Sequence, residues 1–389
     1  MMCKLSDICE FGKGKTDVSS LTLKNYISTE NMLPNKGGIT LSANLPTVPQ
    51  TQEYVKGDIL VSNIRPYFKK IWKATTNGGC SNDVLVFRAK KDTDPDFLYY
   101  VLADDSFFNY SMATSKGTKM PRGDKTAIMQ YQVPAFELPI QHRIASILRS
   151  IDDKIEINNQ INDNLEQQAA SLYYSMFVSY DYYPSIEFEE SDLGLIPKGW
   201  KVLTLGDVTT NIRDRVHNNS YRVLSALNSG ILQPSDEYFT KQVFSKDIGN
   251  YIVVAENDFA YNPARVNIGS LGINDLGYIG CVSPVYVVFR TEDKYQDFMR
   301  FFVKSKRFQE EVKTRASGSV RQAMNYTDFS LIRLSYPPQK AAHEFNAAVD
   351  PIWKTIKHLQ QENDKLSELR DYLLPRLMSG KIDVSEVEI

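Results

Sequence analysis

Apolar positions recur with alternating spacings of four and three in two stretches of the chain. The first runs Ile144, Leu148, Ile151, Ile155, Asn158, Asn162, Leu165, Ala169, Leu172, Met176. The second lies 201 positions later and runs Phe345, Val349, Ile352, Ile356, Leu359, Asn363, Leu366, Arg370, Leu373, Leu377. This is the a/d pattern of a coiled-coil seam, so each stretch predicts a long helix. Two matching seams in one chain suit pairing with each other. The seam is expected to centre on Ile151, Ile155, Asn162 and Leu165 against Ile352, Ile356, Asn363 and Leu366. Asn162 and Asn363 share one heptad position, where a buried asparagine gives up some stability for a fixed register. Pro139 and Pro338 sit where a proline ends the preceding strand or loop.

The rest of the chain reads as short strands and short amphipathic helices, and it is also doubled. Leu5-Ser6-Asp7-Ile8 returns as Leu205-Gly206-Asp207-Val208, Cys80 as Cys281, and Asp96-Phe97 as Asp297-Phe298. Strands are expected over 58–62 and 84–87 in the first copy and over 251–254 and 285–289 in the second. Amphipathic helices are expected over 97–108 and 298–312. The stretch 180–198, rich in Pro, Gly and acids, reads as a linker. The predicted architecture is α+β. Two α/β domains, 1–140 and 181–338, alternate with a central helical region at 141–180 and a distal one at 339–389.

Composition narrows the class. With 389 residues, 42% hydrophobic and 24% charged, the chain is ordinary globular protein with room for more than one core. No apolar run reaches the ~18 residues of a membrane span, and no signal-peptide core follows Met1. The four cysteines form no CxxC pair, which points to reduced thiols and a cytoplasmic setting. The net charge of -2 excludes a bulk polycation, so any nucleic-acid surface must come from local clusters.

Catalytic signatures are absent. There is no GxxxxGK[ST], HExxH or GxSxG, and His142, His217, His343 and His358 do not pair at metal-ligand spacing. His142 and His343 read as ordinary first-turn histidines. Tyr261-Asn262-Pro263-Ala264 lacks the second proline and aromatic of an adenine-methyltransferase motif, and no glycine-rich cofactor loop accompanies it. Glu292-Asp293-Lys294 has nuclease-like spacing without its Pro-Asp partner. No catalytic residue, metal or cofactor site is therefore expected in this chain.

Basic loops are present. Residues 63–73 pack four cations and three aromatics, and Asn63, Arg65, Tyr67, Lys69, Lys70 and Lys73 are candidate DNA contacts. Residues 116–125 form a second loop with candidates Lys116, Thr118, Lys119 and Arg122, where Gly117 lets the backbone approach phosphate. The second copy offers Asn262, Arg265 and Asn267 in place of the first loop, and Arg315, Ser319, Arg321 and Gln322 in place of the second. The lost lysines predict that the two domains read different sequences. A solitary enzyme and a protein scaffold held by the coiled coil are the competing readings, each lacking a positive signal.

In its layout the chain resembles the specificity (S) subunits of Type I restriction–modification systems. The resemblance rests on Asn63-Ile64-Arg65-Pro66-Tyr67, Gly117-Thr118-Lys119-Met120-Pro121-Arg122, Ile196-Pro197-Lys198-Gly199-Trp200, Ser317-Gly318-Ser319-Val320-Arg321-Gln322 and the run 373–382, in that order within a doubled chain. It implies a non-catalytic DNA-binding subunit whose two target-recognition domains each read half of a split target. It also implies that the helices pair antiparallel, hold the domains apart and dock modification (M) subunits, probably two in number. Those subunits would carry S-adenosylmethionine and methylate adenine, and restriction (R) subunits would join them. A helix over 144–176 would span roughly 50 Å at ~1.5 Å per residue, against ~34–36 Å per DNA turn, so helix length would set the spacer.

Overall fold

The structure is a computed structural model that describes every residue except 1, 228–229, 239–243, 246, 316–322, 386 and 388–389. The chain divides into two units: Met1–Gln160 with Leu359–Ile389, and Ile161–His358.

The doubled sequence builds a doubled fold. In the first unit one sheet orders its strands Cys9–Phe11, Val84–Ala89, Ile59–Ser62, Ile71–Lys73, all antiparallel. In the second unit Thr209–Ile212, Val287–Thr291, Phe259–Tyr261 and Leu271–Ile273 repeat that order. The second sheet of each unit is also related. Gly78–Cys80 lies between the parallel strand Tyr26–Ile27 and the antiparallel strand Gln50–Tyr54. Gly280–Val282 lies likewise between Arg222–Ala226 and Ile252–Val254. A Cβ on Gly78 would stand 2.1 Å from the Asn25 carbonyl oxygen, so only glycine fits that approach. The copies diverge in the fourth strand. Lys15–Asp17 joins the antiparallel neighbour in the first unit, whereas Leu232–Pro234 joins the parallel neighbour in the second.

One ion pair recurs at the ends of the two inner strands of the all-antiparallel sheet in each unit. Asp58, its side chain 2% exposed, accepts Nε and Nη2 of Arg88 at 2.8 and 2.7 Å, and the Val55 N–H at 2.8 Å. Asp258, 1% exposed, accepts Nε and Nη2 of Arg290 at 2.6 and 2.9 Å, and the Ala255 N–H at 2.8 Å. A carboxylate this buried needs both the bidentate partner and the backbone donor to offset its desolvation.

The expected helix over 97–108 is two helices, Pro95–Ala103 and Asp105–Ala113. Asp104 breaks it: its backbone is extended, and its carboxylate caps the second helix through the Ser106 N–H. The helix expected over 298–312 divides likewise into Gln296–Phe302 and Lys306–Arg315. The linker at 180–198 contains a hairpin, Phe188–Ser191 against Gly194–Pro197, turned at Gly194 with φ +89°. The strand Met2–Lys4 pairs with Gln132–Pro134, as Lys201–Thr204 pairs with Arg333–Tyr336.

The long helices run Leu138–Phe177 and Gln339–Met378. Pro139 thus lies inside the first turn of its helix, where its missing N–H costs nothing. Within the first unit Asp152 and Asn158 meet Arg370 and Asn363 in turn, an antiparallel pairing, and Leu148 and Leu374 share one core. Within the second unit Tyr173 and Phe177 pack on Phe345. Of the central seam positions Ile151, Asn162 and Ile356 are buried, and Ile155, Leu165, Ile352, Asn363 and Leu366 are half-buried. Toward the helix ends the buried positions are Tyr173 and Leu374 rather than Leu172 and Leu373, because each end packs on a domain as well as on its partner helix. Asn158 Nδ2 donates to Asn363 Oδ1 and to Glu362, both at 2.8 Å. The polar node therefore centres on Asn158 and Asn363.

All four cysteines are unpaired, and burial pushes the thiols of Cys9 and Cys80 up to about 12. No helix of the described residues is long and apolar enough to cross a membrane. His343 is only half-buried at the surface, with Nε2 enclosed.

Candidate nucleic-acid interface

Each unit carries a tight turn between two adjacent strands of its antiparallel sheet. In the first, Ile59–Ser62 and Ile71–Lys73 pair antiparallel and are joined through the 3-10 turn Pro66–Phe68. Arg65 and Lys69 flank the turn in the left-handed region, with φ of 51° and 50°. That conformation is uncommon for non-glycine residues and marks over-determined, often functional backbone. The second basic loop fastens onto this turn. The Arg65 N–H donates to the Pro121 carbonyl at 2.8 Å, Ile64 forms a bridge with Arg122, and Arg122 forms one with Lys116. The structure therefore brings the two basic loops of the first copy into one surface.

The candidate contacts fall into three groups on that surface. Tyr67, Lys116, Thr118, Lys119 and Arg122 are exposed. Lys116 Nζ sits 2.6 Å from Asp124, whose hydrogen bond raises the ammonium pKa and lowers the carboxyl one. Arg122 Nη2 sits 3.0 Å from Asp83. Lys69 and Lys70 are half-buried: Lys69 Nζ donates to Asp105 at 2.7 Å, and Lys70 Nζ to the Thr29 carbonyl at 2.6 Å, with burial lowering the Lys70 pKa. Lys73 and Asn63 depart from the expectation of direct contact. Lys73 is drawn inward by Asp96, which also holds Arg149 at 3.0 Å, so its charge is already matched. Asn63 is 8% exposed and lies beneath the loop, because its backbone bridges Asp83 and Gly123.

In the second unit Phe259–Tyr261 and Leu271–Ile273 pair antiparallel and are joined through Val266–Ile268. Asn262 Oδ1 accepts the Ala264 N–H at 3.0 Å, an Asx turn that shapes the approach. Arg265 is exposed, while Asn262 and Asn267 are half-buried. The Met324 N–H donates to the Pro263 carbonyl at 3.0 Å, so the chain beyond the second basic segment returns to this turn. Arg315 is turned inward: Nε donates to Glu311 at 3.1 Å and Nη2 to the Leu331 carbonyl at 3.4 Å. Ser319, Arg321 and Gln322 lie outside the described residues.

Sequence reasoning missed several groups around the first turn. Asn35 and Lys36 have positive φ and donate their N–H groups to Phe68 and Lys69 carbonyls at 2.8 and 2.9 Å. Lys36 also meets Asp105 at 3.0 Å. Their signal in sequence is weak, because it lies in a loop distant along the chain. Asp58–Arg88 and Asp258–Arg290 were findable, since both partners recur in the two copies.

Among the described residues no cluster of His, Cys, Asp and Glu could hold a metal ion. The second unit contains an open cleft of about 1040 Å³ lined by Tyr173, Tyr174, Leu195, Phe301, Lys304 and Trp353.

Residues 1–167 match the family of the Type I restriction modification DNA specificity domain. The Type I restriction enzyme MjaIX specificity subunit of Methanocaldococcus jannaschii is 24% identical over 419 residues, covering 99% of this chain and 94% of that protein. The HindI specificity subunit of Haemophilus influenzae is 23% identical over 459 residues, covering 97% and 98%. The crystal structure of a Type I restriction–modification S subunit from M. genitalium shares the fold, with a TM-score of 0.57 at 14% identity, covering 97% of this chain and 96% of that one. Residues 1–167 thus match a Type I restriction modification DNA specificity domain, and nearly the whole chain is similar to specificity subunits of Type I restriction enzymes.

Proposed function

We propose that this chain is the DNA-recognition subunit of a Type I restriction–modification complex. Each unit reads one half of a bipartite duplex target. The observation that carries this is the repeated construction: an arginine-bearing turn on the same two strands of the same sheet in both units. In the first unit the turn and the second basic loop share one face, suited to phosphate neutralisation and base-edge contact. The turn residues differ between copies, so the two half-sites differ.

The long helices set the spacer and dock two modification subunits. The cleft with exposed Tyr174 and Leu195 supports docking in the second unit. The chain is not itself catalytic. S-adenosylmethionine and adenine methylation belong to the modification subunits, and DNA cleavage belongs to restriction subunits.

The test is adenine methylation mapped across the genome in cells carrying this chain with its modification partner, against cells lacking only this chain. A split motif with a fixed gap, present only with the chain, is expected. Unchanged methylation with an active partner would overturn the reading.

A further inference from the structure

The turns present one more feature in both units, an exposed apolar side chain at the tip. Tyr67 is 50% exposed in the first, and Ile268 is 71% exposed in the second. A single exposed apolar residue is ordinary. Here each of the two corresponding turns carries one, at its second residue in the first unit and its third in the second, beside an arginine that enters each turn.

The turns are also built to be stiff. Pro66 and Val266 are buried and root them. The Lys69 N–H closes on the Pro66 carbonyl at 2.9 Å, and the Gly269 N–H on that of Val266 at 3.1 Å. Lys69 and Gly269 occupy the same exit position, both left-handed. The Tyr67 ring lies 4.7 Å from that of Phe68, and Arg65 Nε is buried without a hydrogen-bond partner. The enclosed Nε holds the root of the Arg65 side chain against the turn, and the residue as a whole is half-buried.

We propose that Tyr67 and Ile268 are apolar wedges, one per half-site, that press into the base stack of duplex DNA while the neighbouring arginine holds a phosphate or base edge. Apolar wedges that unstack a step are a known means of deforming DNA, and flexible pyrimidine–purine steps yield most easily. Each wedge would therefore add specificity at a step it does not read by hydrogen bonds. This inference rests on the DNA-recognition reading.

The test uses the full chain with its modification subunit and duplexes carrying the mapped target, with 2-aminopurine placed in turn along each half-site. Wild type is expected to brighten one position per half-site, distinct from the methylated adenine. Ile268→Ala should abolish that signal in the second half-site only and weaken binding roughly tenfold, the scale of one lost base–side-chain contact. Ile268→Leu should restore both. Tyr67→Ala should act only in the first half-site. Sequence-specific binding without any such brightening, and unchanged in both alanine variants, would overturn the wedges and leave the recognition reading standing. Failure of the wild-type complex to prefer its target would overturn both.

Discussion

The two units fasten their domain to the helix pair by opposite means at one position. In the first, Tyr100 Oη donates to Asp152 Oδ2 at 2.7 Å, and Arg370 Nη1 to Asp152 Oδ1 at 2.9 Å. In the second, the positions 201 residues away from these are Phe301, Trp353 and Ala169. Phe301 stacks on Tyr173 at 5.2 Å and on Trp353 at 6.0 Å, and the Arg300 guanidinium lies 4.5 Å from the Trp353 ring. One junction is a directional polar network and the other an aromatic stack. The fold therefore requires an attachment there but not a particular chemistry. The Asp–Arg pairs of the sheets show the opposite case, with the same chemistry kept in both copies.

The pairs give the sharpest test of that contrast. Arg88→Met and Arg290→Met each leave a buried carboxylate uncompensated, and each should cost about 3–5 kcal/mol. Hydrogen exchange should show the loss confined to the unit that carries the change, with similar size in both. A loss in only one would show that the second pair is redundant.

At the junctions the two copies should respond to different substitutions. Trp353→Ala removes a large, half-buried aromatic and should cost about 3 kcal/mol. Asp152→Ala takes the partner of Tyr100 Oη and leaves Arg370 with Asp371 alone, and should cost about 2 kcal/mol. Replacing Tyr100 by Phe and Asp152 and Arg370 by Leu together should recover most of that loss, as buried polar sets often yield to apolar ones. Urea unfolding of the three variants measures the contrast, and failure of the apolar set to recover stability would show that the network is needed for geometry.

The smallest effect distinguishes the two turns. Asp105 clamps the first turn through Lys36 and Lys69; its counterpart in the second copy is Lys306. Burial alone would raise the Asp105 pKa, but hydrogen bonds from Lys69 and Lys36 offset this and hold it below the usual carboxylate value. A depressed folded-state pKa stabilises above the unfolded value of about 3.9, and that contribution is lost as pH falls through the folded one. The clamp should therefore hold at neutral pH and release in acid, below about pH 4. Asp105→Asn should cost about 0.5 kcal/mol at neutral pH and remove the acid dependence at the first turn alone. Equal acid dependence in the second turn would show that the clamp is not its source.

Periodicity and internal repetition sufficed for much of this molecule. The 4-3 spacing located both long helices, and a pattern repeated over ten positions reports a buried face whatever lies against it. The offset between copies exposed the doubled fold and the two arginine-bearing turns. Tertiary structure decided what depends on partners distant along the chain. Asn63 and Lys73 look like neighbours of Arg65 in sequence, yet Asp83 and Asp96 draw them beneath or behind the surface. Asn158, not Asn162, donates to Asn363, because the antiparallel register is settled only when both helices are packed on their domains. Tyr67 and Ile268 became a pair only once both turns were seen at the same place in their sheets. Local propensity is carried by adjacent residues, but exposure and charge pairing depend on what folding brings alongside them.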